Sequence, residues 1–372
     1  MLTTTVVGSH TRPRWLIEAM EASLRGPGPD SELEELREMA VLLTIKEMED
    51  AGLDVITDGE QRRTNFYEYL AAACTGFGRR SPESSVPRTA AERIDWRQKT
   101  MVGRPLIAGR VEWVGEPLTA RHCRFLKSHT SRRVKVTVAS PTLILRRLWR
   151  PSPAYPTEDA FLDDLIALCG AELRALVDAG ADFVQLDSPE LTTFADDGVP
   201  REAAADEMEK SVMLINRVVS TVQGVRLGLH ACWGNIRGTH RADGPLSRLY
   251  PWLLDLKVDQ LVLELASARH EEDVGVFQEY PSDKEIGGGV LDVKTPDVEP
   301  VRVVKKRVER LLRSVSPGKL WLNGDCGFAP TWDAEVVPRR SCYEKLRSLV
   351  LAAAEIRRSL SLDEASPSSG GF

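Results

Sequence analysis

The sequence lacks the features that would place it in a membrane, secreted or nucleic-acid-binding class. Its 372 residues contain no apolar run of about 18 residues, which argues against a membrane-spanning helix. The N-terminus has neither a basic segment nor a long apolar segment, so we expect no signal peptide and predict a cytoplasmic protein. The net charge is −6 and the arginines are scattered, so nucleic acid is not expected as a partner.

Cysteine is sparse, and no two cysteines form a Cys-x-x-Cys pair. Six cysteines spread over a long chain argue against a disulfide framework and leave reduced thiols or metal ligands. Aromatic residues make up 6% of the chain, and without clustered positive charge we interpret the tryptophans as packing residues. The cysteines are Cys74, Cys123, Cys169, Cys232, Cys326 and Cys342.

What is present is the composition of a globular protein, 42% apolar and 28% charged, arranged in a repeating order. Short β-branched runs alternate with longer amphipathic segments such as Glu32–Ala51 and Thr157–Ala179, as in βα units with a parallel sheet. The length allows one barrel with an insertion or two domains. The predicted strands are Thr4–Val7, Val55–Thr57, Val134–Ala139, Phe183–Leu186, Arg226–His230, Gln260–Leu265, Gly287–Val290 and Leu320–Asn323.

Eight strands with interleaved helices favour an α/β fold, a (β/α)8 TIM barrel over residues 1–360. Residues 74–133 interrupt the rhythm, and we interpret them as an insertion between the second and third strands with its own hairpin. Residues 361–372 have the composition of a flexible C-terminal tail.

Polar and ligating side chains follow the predicted strands, at the barrel end where active sites of this fold lie. Among them, His230, Cys232, Glu264 and Cys326 are residue types that zinc prefers, and zinc takes four such ligands. His230 and Cys232 are two residues apart on an extended segment, so both side chains point to the same side. Each residue alone is more commonly a core residue, but three strand ends together favour a metal site.

Three carboxylates add negative charge to this rim and suit recognition of an ammonium group or acid/base chemistry. Asp58 and Asp187 are also typical helix-capping residues, whereas Glu60 caps poorly and favours a functional role. His10 follows the first strand and is either a substrate-binding residue or a loop histidine. The run Gly287–Gly289 lacks the context of a phosphate loop, so we assign it to close packing.

Eight motifs together resemble the cobalamin-independent methionine synthase family, in its shorter single-barrel members. The resemblance covers most of the chain outside the insertion and the tail, and several motifs in one order are more specific than any one of them. The motifs are TTTVVGS (Thr3–Ser9), GLDVITDGEQRRTNFYEYL (Gly52–Leu70), ASPTLIL (Ala139–Leu145), FVQLDSPEL (Phe183–Leu191), LHACWGN (Leu229–Asn235), LVLELA (Leu261–Ala266), GGGVLDVKTP (Gly287–Pro296) and LWLNGDCGF (Leu320–Phe328).

The resemblance implies a Zn²⁺ cofactor whose ligands match the four residues singled out above. It also implies that Val7, Gly8 and Ser9 hold the carboxylate of homocysteine, and that Glu60 and Asp187 hold its amino group. In such enzymes a zinc-bound thiolate attacks a methyl donor in an SN2 step, and zinc has no redox role.

The sequence departs from the family at three points. The additional N-terminal barrel that helps shape the folate site is absent, which leaves the methyl donor open. Asp292-Val293-Lys294 stands where the family has Asp-Val-His, whose histidine is the acid that helps the leaving group depart, so Asp292 and Lys294 are the candidate catalytic residues. A lysine is a poorer proton donor at neutral pH but a good anchor for an anion. Ser188 replaces a glutamate next to Asp187 and removes one negative charge.

Other functions stay open at this stage. The HACWGN and DCGF motifs are also similar to those of epoxyalkane:coenzyme M transferases, so the partners are a small thiol and a folate, corrinoid or epoxide donor. A non-catalytic zinc-binding barrel and a corrinoid methyltransferase barrel are further alternatives. A homo-oligomer is compatible with the sequence, which does not determine the oligomeric state.

Overall fold

The computed structural model describes residues 1–25, 30–79, 105–196, 198–267, 270, 272–332 and 335–365. Eight parallel strands form one sheet in the order β1, β10, β9, β8, β7, β6, β5, β2, so the first two strands of the barrel lie at its seam. All eight predicted strands are present, and the predicted TIM barrel is confirmed. The strands are β1 (Thr3–Thr4), β2 (Val55–Ile56), β3 (Phe77–Arg79), β4 (Pro105–Ile107), β5 (Arg133–Ala139), β6 (Phe183–Asp187), β7 (Arg226–Ala231), β8 (Gln260–Glu264), β9 (Glu285–Leu291) and β10 (Leu320–Gly324).

Helices follow the barrel strands and cover the outside of the sheet. No helix in the described part of the chain is long and apolar enough to cross a membrane. The helices are α1 (Arg14–Arg25), α2 (Asp30–Ala51), α3 (Tyr69–Ala73), α4 (Leu118–Ser128), α5 (Pro141–Leu148), α6 (Glu158–Asp178), α7 (Arg201–Val219), α8 (Tyr250–Leu254), α9 (Val276–Glu279), α10 (Val301–Leu311) and α11 (Arg339–Ala365), with short 3-10 turns at Pro189–Ala195, Leu246–Arg248 and Asp273–Gly275.

The seam between β1 and β2 is closed by side chains as well as backbone. Asp54 donates its backbone N–H to the Thr4 carbonyl at 3.1 Å, and its carboxylate accepts the Thr4 N–H at 2.8 Å. Further along, the Thr57 hydroxyl donates to the carbonyl of Gly8 at 2.8 Å. These bonds replace a regular ladder, which explains why both strands are only two residues long and shorter than predicted.

Between β2 and β5 the chain leaves the barrel rhythm. β3 and β4 pair antiparallel, with Phe77 opposite Ile107, and α4 follows them. The turn expected for a hairpin here lies outside the described residues, as does most of the Pro/Arg/Ser-rich stretch. At the other end, α11 continues to Ala365, five residues past the predicted barrel boundary, because Leu360–Ala365 contains no helix breaker before the Ser-Pro that follows. Residues 366–372 lie outside the described part.

Strand β5 shows how the sheet separates an apolar outside from a polar inside. Val134, Val136 and Val138 belong to the main hydrophobic core between sheet and helices. The alternate residues Lys135 and Thr137 are buried on the other face, inside the barrel. The barrel interior therefore contains polar as well as apolar side chains, and it continues to the rim that the strand ends form.

The glycine run of β9 is required by close contacts. A Cβ at Gly289 would lie 2.6 Å from the Asp325 carboxylate and 2.7 Å from the Leu263 carbonyl. Asp325 Oδ1 accepts the backbone N–H groups of Leu265 and Ala266 at 2.9 and 2.7 Å, so it ties the end of β8 to the end of β10. Gly289 thus leaves room for the link that positions Cys326, the next residue.

We expect Gly289→Ala to disrupt the hydrogen bonds between Asp325 and the end of β8. The added Cβ would meet the Leu263 carbonyl and the Asp325 carboxylate, and neither group can move without loss of stability. The variant should lose roughly 2 kcal/mol or more of unfolding free energy in urea titrations. Gly318→Ala is the matched control, since a Cβ there meets nothing within 4 Å. Equal stabilities of the two variants would contradict this account of the glycine run.

Glu172 on α6 is a buried carboxyl whose ionisation opposes folding. Its Oε1 accepts the hydroxyls of Tyr69 and Thr119, both at 2.8 Å. Burial raises the pKa of Glu172 to about 7, although the hydrogen bonds favour the charged form. A carboxyl whose folded-state pKa is raised contributes stability below its unfolded pKa, and that contribution is lost as the pH rises through about 7.

We therefore expect Glu172→Gln to flatten the pH dependence of stability between about pH 4.5 and 7, because glutamine accepts the same hydroxyls but does not ionise. The shift corresponds to on the order of 3 kcal/mol across this window. Urea unfolding at pH 5 and pH 7.5 would measure it. The exposed Glu209→Gln variant should keep the wild-type dependence, and an unchanged slope in Glu172→Gln would refute the assignment.

Candidate metal and substrate site

A cavity of about 610 Å³ opens at the carboxyl ends of the barrel strands. Its wall includes residues from the loop after β1, the turn after β2 and the ends of β6, β7 and β10. The parallel register aligns these ends, since Asp187 of β6 lies opposite His230 of β7. The rim predicted from the sequence therefore surrounds one cavity, with Val7, Ser9, Glu60, Asp187, His230, Cys232 and Cys326 in its wall.

Three of the four predicted metal ligands meet at the base of the cavity. One ligand atom each from His230, Cys232 and Cys326 lies within 4.8 Å of the other two, and all three residues are buried. The two sulfur atoms are 3.4 Å apart. His230 places Nδ1 3.2 Å from the Val262 carbonyl, which favours the tautomer with the proton on Nδ1 and leaves Nε2 as an electron-pair donor. That Nε2 is buried without a hydrogen-bond partner among the described residues.

The electrostatics of this cluster favour a thiolate. The hydrogen bond from Cys232 and the adjacent His230 hold the pKa of Cys326 well below its usual range, although burial opposes this. The same hydrogen bond, together with burial, raises the pKa of Cys232 well above it. One imidazole nitrogen and two sulfurs, one of them readily ionised, are a donor set that fits zinc.

Glu264, the fourth predicted ligand, is buried next to this cluster and forms three hydrogen bonds. Its Oε2 accepts the Trp233 N–H at 3.0 Å, and its Oε1 accepts from Lys294 Nζ at 2.7 Å and lies 2.6 Å from His240 Nε2. Although burial opposes it, the bonds from His240 and Lys294 lower the pKa of Glu264 to about 2. The carboxylate in turn raises the pKa of Lys294. Lys294 is thus a paired cation rather than an acid at neutral pH.

Glu60 and Asp187 line the same cavity. Glu60 adopts φ 55°, a backbone conformation that non-glycine residues rarely adopt, and its Oε2 is buried without a partner among the described residues. Its Oε1 accepts the Thr137 hydroxyl at 2.7 Å and lies 3.8 Å from Arg63. Burial raises the pKa of Asp187 to about 7 and also raises that of Glu60. A bound cation would stabilise the ionised form of both carboxyl groups.

The loop after β1 packs closely against Glu60. A Cβ at Gly8 would lie 2.7 Å from Glu60 Oε1, so glycine is required for this approach. The Ser9 carbonyl accepts the Phe328 N–H at 3.0 Å, which ties the loop to the segment after Cys326. Val7 and Ser9 line the cavity.

Three predicted site residues lie behind the cavity wall. Asp58 is bonded through Oδ1 to the N–H of Glu60 at 2.9 Å and supports its unusual conformation. Asp292 likewise accepts the N–H of Lys294 at 2.8 Å. His10 is buried with Nε2 3.1 Å from Glu47 and does not line the cavity. Asp58 and Asp292 thus support residues of the site, whereas the side chain of His10 is bonded outside it.

Sequence reasoning missed polar residues that connect to the site from inside the barrel. Lys135 donates to Gln185 Oε1 at 2.9 Å, and Gln185 donates to Asp187 Oδ1 at 2.7 Å. Burial lowers the pKa of Lys135 to about 7. The only signal in the sequence was the alternation Val-Lys-Val-Thr-Val, which places lysine on the inner face of the strand. His240, which bonds Glu264, was also missed because it lies in a loop eight residues after Cys232.

Fold and site together define a (β/α)8 barrel with a candidate sulfur- and nitrogen-containing metal centre at its strand ends. Residues 1–354 match the family described as cobalamin-independent synthase, catalytic domain, and the chain belongs to this family.

Individual relatives cover nearly the whole chain. It is 30% identical over 361 residues to a methionine synthase of Sulfurisphaera tokodaii, covering 97% of this chain and 94% of that protein. A methionine synthase of Pyrococcus furiosus is 28% identical with the same coverage. A B12-independent methionine synthase from Shewanella sp. W3-18-1, in complex with selenomethionine, shares the fold with a TM-score of 0.77 at 19% identity, over 97% of this chain and 99% of that one.

Proposed function

We propose that the protein is a zinc-dependent thiol S-methyltransferase of the methionine synthase kind, with homocysteine as the methyl acceptor. The observation that carries the proposal is the meeting of His230, Cys232 and Cys326 in a cavity that is also lined by Glu60 and Asp187. Family membership and relatives called methionine synthases support the same activity. The cavity of about 610 Å³ is of a size that suits a small-molecule substrate.

The buried Nε2 of His230 and the two sulfurs would hold the zinc ion, and Glu264 is proposed as the fourth ligand in the absence of substrate. Bound zinc supplies a Lewis acid that lowers the pKa of a substrate thiol, so that a thiolate is present at neutral pH. Glu264 is kept ionised by Lys294 and His240, so its carboxylate is ready to bind a cation. When Glu264 is not a metal ligand, Lys294 remains hydrogen-bonded to its carboxylate, so that the buried negative charge stays paired.

Glu60 and Asp187 are proposed to bind the amino group of the acceptor. An ammonium group would satisfy the unpartnered Oε2 of Glu60 and remove the unfavourable burial of Asp187 as an anion. Val7, Gly8 and Ser9 are proposed to hold the carboxylate, with Ser9 on the cavity wall. This arrangement directs the thiol of an amino acid towards the base of the cavity.

The methyl donor is proposed to bind near the arginines of the cavity lining. Arg147, Arg237 and Arg241 line the cavity, and their charge suits an anionic donor such as a folate. Lys294, bonded to Glu264, is proposed to add positive charge near the reacting groups rather than to act as a proton donor. The arginines also favour a second candidate function, epoxide opening by the anionic thiol coenzyme M.

We expect the zinc site to depend on the two cysteines at the base of the cavity. X-ray absorption at the zinc edge should show sulfur ligands near ~2.3 Å in the wild type, and Cys232→Ser or Cys326→Ser should each remove a sulfur and weaken zinc binding by at least about tenfold. Glu264→Gln should weaken binding less than either cysteine variant, by roughly tenfold at most, with no change in sulfur number.

Cys342→Ser is the matched control for this experiment. Cys342 is also buried, but its thiol contacts the Thr11 hydroxyl at 3.0 Å and lies apart from the cluster. Unchanged sulfur coordination in both cluster variants would rule out the proposed site. Unchanged affinity in Glu264→Gln would show that Lys294 keeps this carboxylate off the metal.

We expect Asp187→Asn to discriminate between thiols with and without an amino group. The variant should weaken homocysteine binding by about 10- to 100-fold, the effect of losing a buried charged hydrogen bond. Binding of 4-mercaptobutanoate, which lacks the amino group, should change less than about threefold. Titration of the zinc-loaded protein with each thiol, followed by sulfur coordination at the zinc edge, would measure both affinities.

Other results would redirect the proposal. If coenzyme M rather than homocysteine adds a sulfur to the metal, the epoxide function replaces methyl transfer. If neither thiol binds although zinc is present, the protein is a non-catalytic zinc barrel. With homocysteine bound, parallel assays with methyltetrahydrofolate and methylcobalamin would then identify the donor.

A further inference from the structure

A second group of potential metal ligands lies beyond Glu264, outside the cluster described above. One ligand atom each from His240, Asp243 and His270 lies within 4.8 Å of the other two. His240 and Asp243 belong to the loop after β7, and His270 follows β8, so two neighbouring strand ends bring the group together. His240 lies at the cavity wall, whereas Asp243 and His270 lie behind it.

Each imidazole of this group has one ring nitrogen bonded to a carboxylate. His240 Nε2 lies 2.6 Å from Glu264 Oε1, and His270 Nδ1 lies 2.8 Å from Asp273 Oδ2. These bonds orient the rings and place the proton on the bonded nitrogen, which leaves His240 Nδ1 and His270 Nε2 as electron-pair donors. A histidine that binds a metal typically makes this kind of bond through its other nitrogen.

His270 provides an independent indication of a missing ligand. The residue is 1% exposed, and its Nε2 has no hydrogen-bond partner among the described residues. A buried nitrogen without a partner is costly in a folded protein and calls for a specific explanation. The ring cannot turn away easily, because it stacks on Trp233 with 4.6 Å between ring centroids and 6° between the planes.

We propose that His240, Asp243 and His270 form a second metal site, which binds a divalent transition ion such as Zn²⁺ or Co²⁺. Two imidazoles and one carboxylate suit these ions rather than Mg²⁺ or Ca²⁺, which prefer oxygen ligands. Three protein ligands leave at least one position for water or a small anion. The site does not rest on the proposed methyl transfer, but His240 joins it to Glu264 and to the edge of the same cavity.

The two sites differ in sulfur content, which makes them separable by experiment. The full-length protein is stripped with a chelator, reloaded with Co²⁺ and freed of excess ion by gel filtration. Metal analysis should give about two ions per chain in the wild type. Asp243→Asn and His270→Gln should each reduce this to about one and retain the thiolate-to-cobalt charge-transfer band. Cys232→Ser with Cys326→Ser should also leave about one ion, without that band.

A variant with a partial effect and a control variant distinguish loss of the second site from misfolding of the protein. Asp273→Asn removes only the carboxylate that orients His270, so it should weaken the second ion by about 10- to 100-fold without abolishing it. His129→Gln, at an exposed histidine of the same chain, should keep both ions. Circular dichroism establishes that each variant is folded before its metal content is compared.

Sulfur coordination gives a second measurement on the zinc-loaded wild type. With both sites filled, the mean number of sulfur ligands per zinc should be about half of that in Asp243→Asn. A wild-type protein that binds about one Co²⁺ ion and shows the thiolate-to-cobalt band would overturn the proposal. So would a second ion that persists in both Asp243→Asn and His270→Gln, because it would then be bound elsewhere.

Discussion

The in-register parallel pairing of neighbouring strands is the constraint on which the site depends. Asp187 lies opposite His230, and Glu264 opposite Gly289, so side chains far apart in sequence reach the same rim. Asp325 fixes the rim further by accepting two backbone N–H groups after β8. A shift of one residue in this register would turn alternate side chains to the other face, and the ligand cluster would no longer meet.

The buried carboxylates at the rim fall into two groups, which differ in how well neighbouring cations compensate their charge. In one group Lys294 and His240 hold Glu264, so that its carboxylate stays ionised in a buried position. In the other group burial raises the pKa values of Glu60 and Asp187, and the nearby Arg63 offsets this only in part. Such polar groups are tolerated because the surrounding barrel fixes them, and unsatisfied atoms at such a site are expected to meet a ligand.

Most of the barrel could be predicted because its strands are short apolar runs, several of them rich in β-branched residues, that are followed by a polar residue. The bounds of β5 to β10 agree with the predicted strands within about two residues. The outer faces of these strands pack against helices, and the apolar residues that this burial requires mark each strand in the sequence. The ends of β1 and β2 were less predictable, because there the closure depends on Asp54 and Thr57 rather than on a ladder. The extent of α11 was also missed, because helix ends carry weak signals.

The sequence by itself determined the residue types of the site and their position at strand ends. His230, Cys232, Glu264 and Cys326 lie at the ends of three predicted strands. Only the tertiary structure decided which of them meet, because side-chain orientation depends on partners distant in sequence. In the structure His10 lies behind the cavity wall, Glu264 is hydrogen-bonded to Lys294, and His240 lies close to His270. Loop residues carry no periodicity, so their contacts are fixed only when the barrel closes around them.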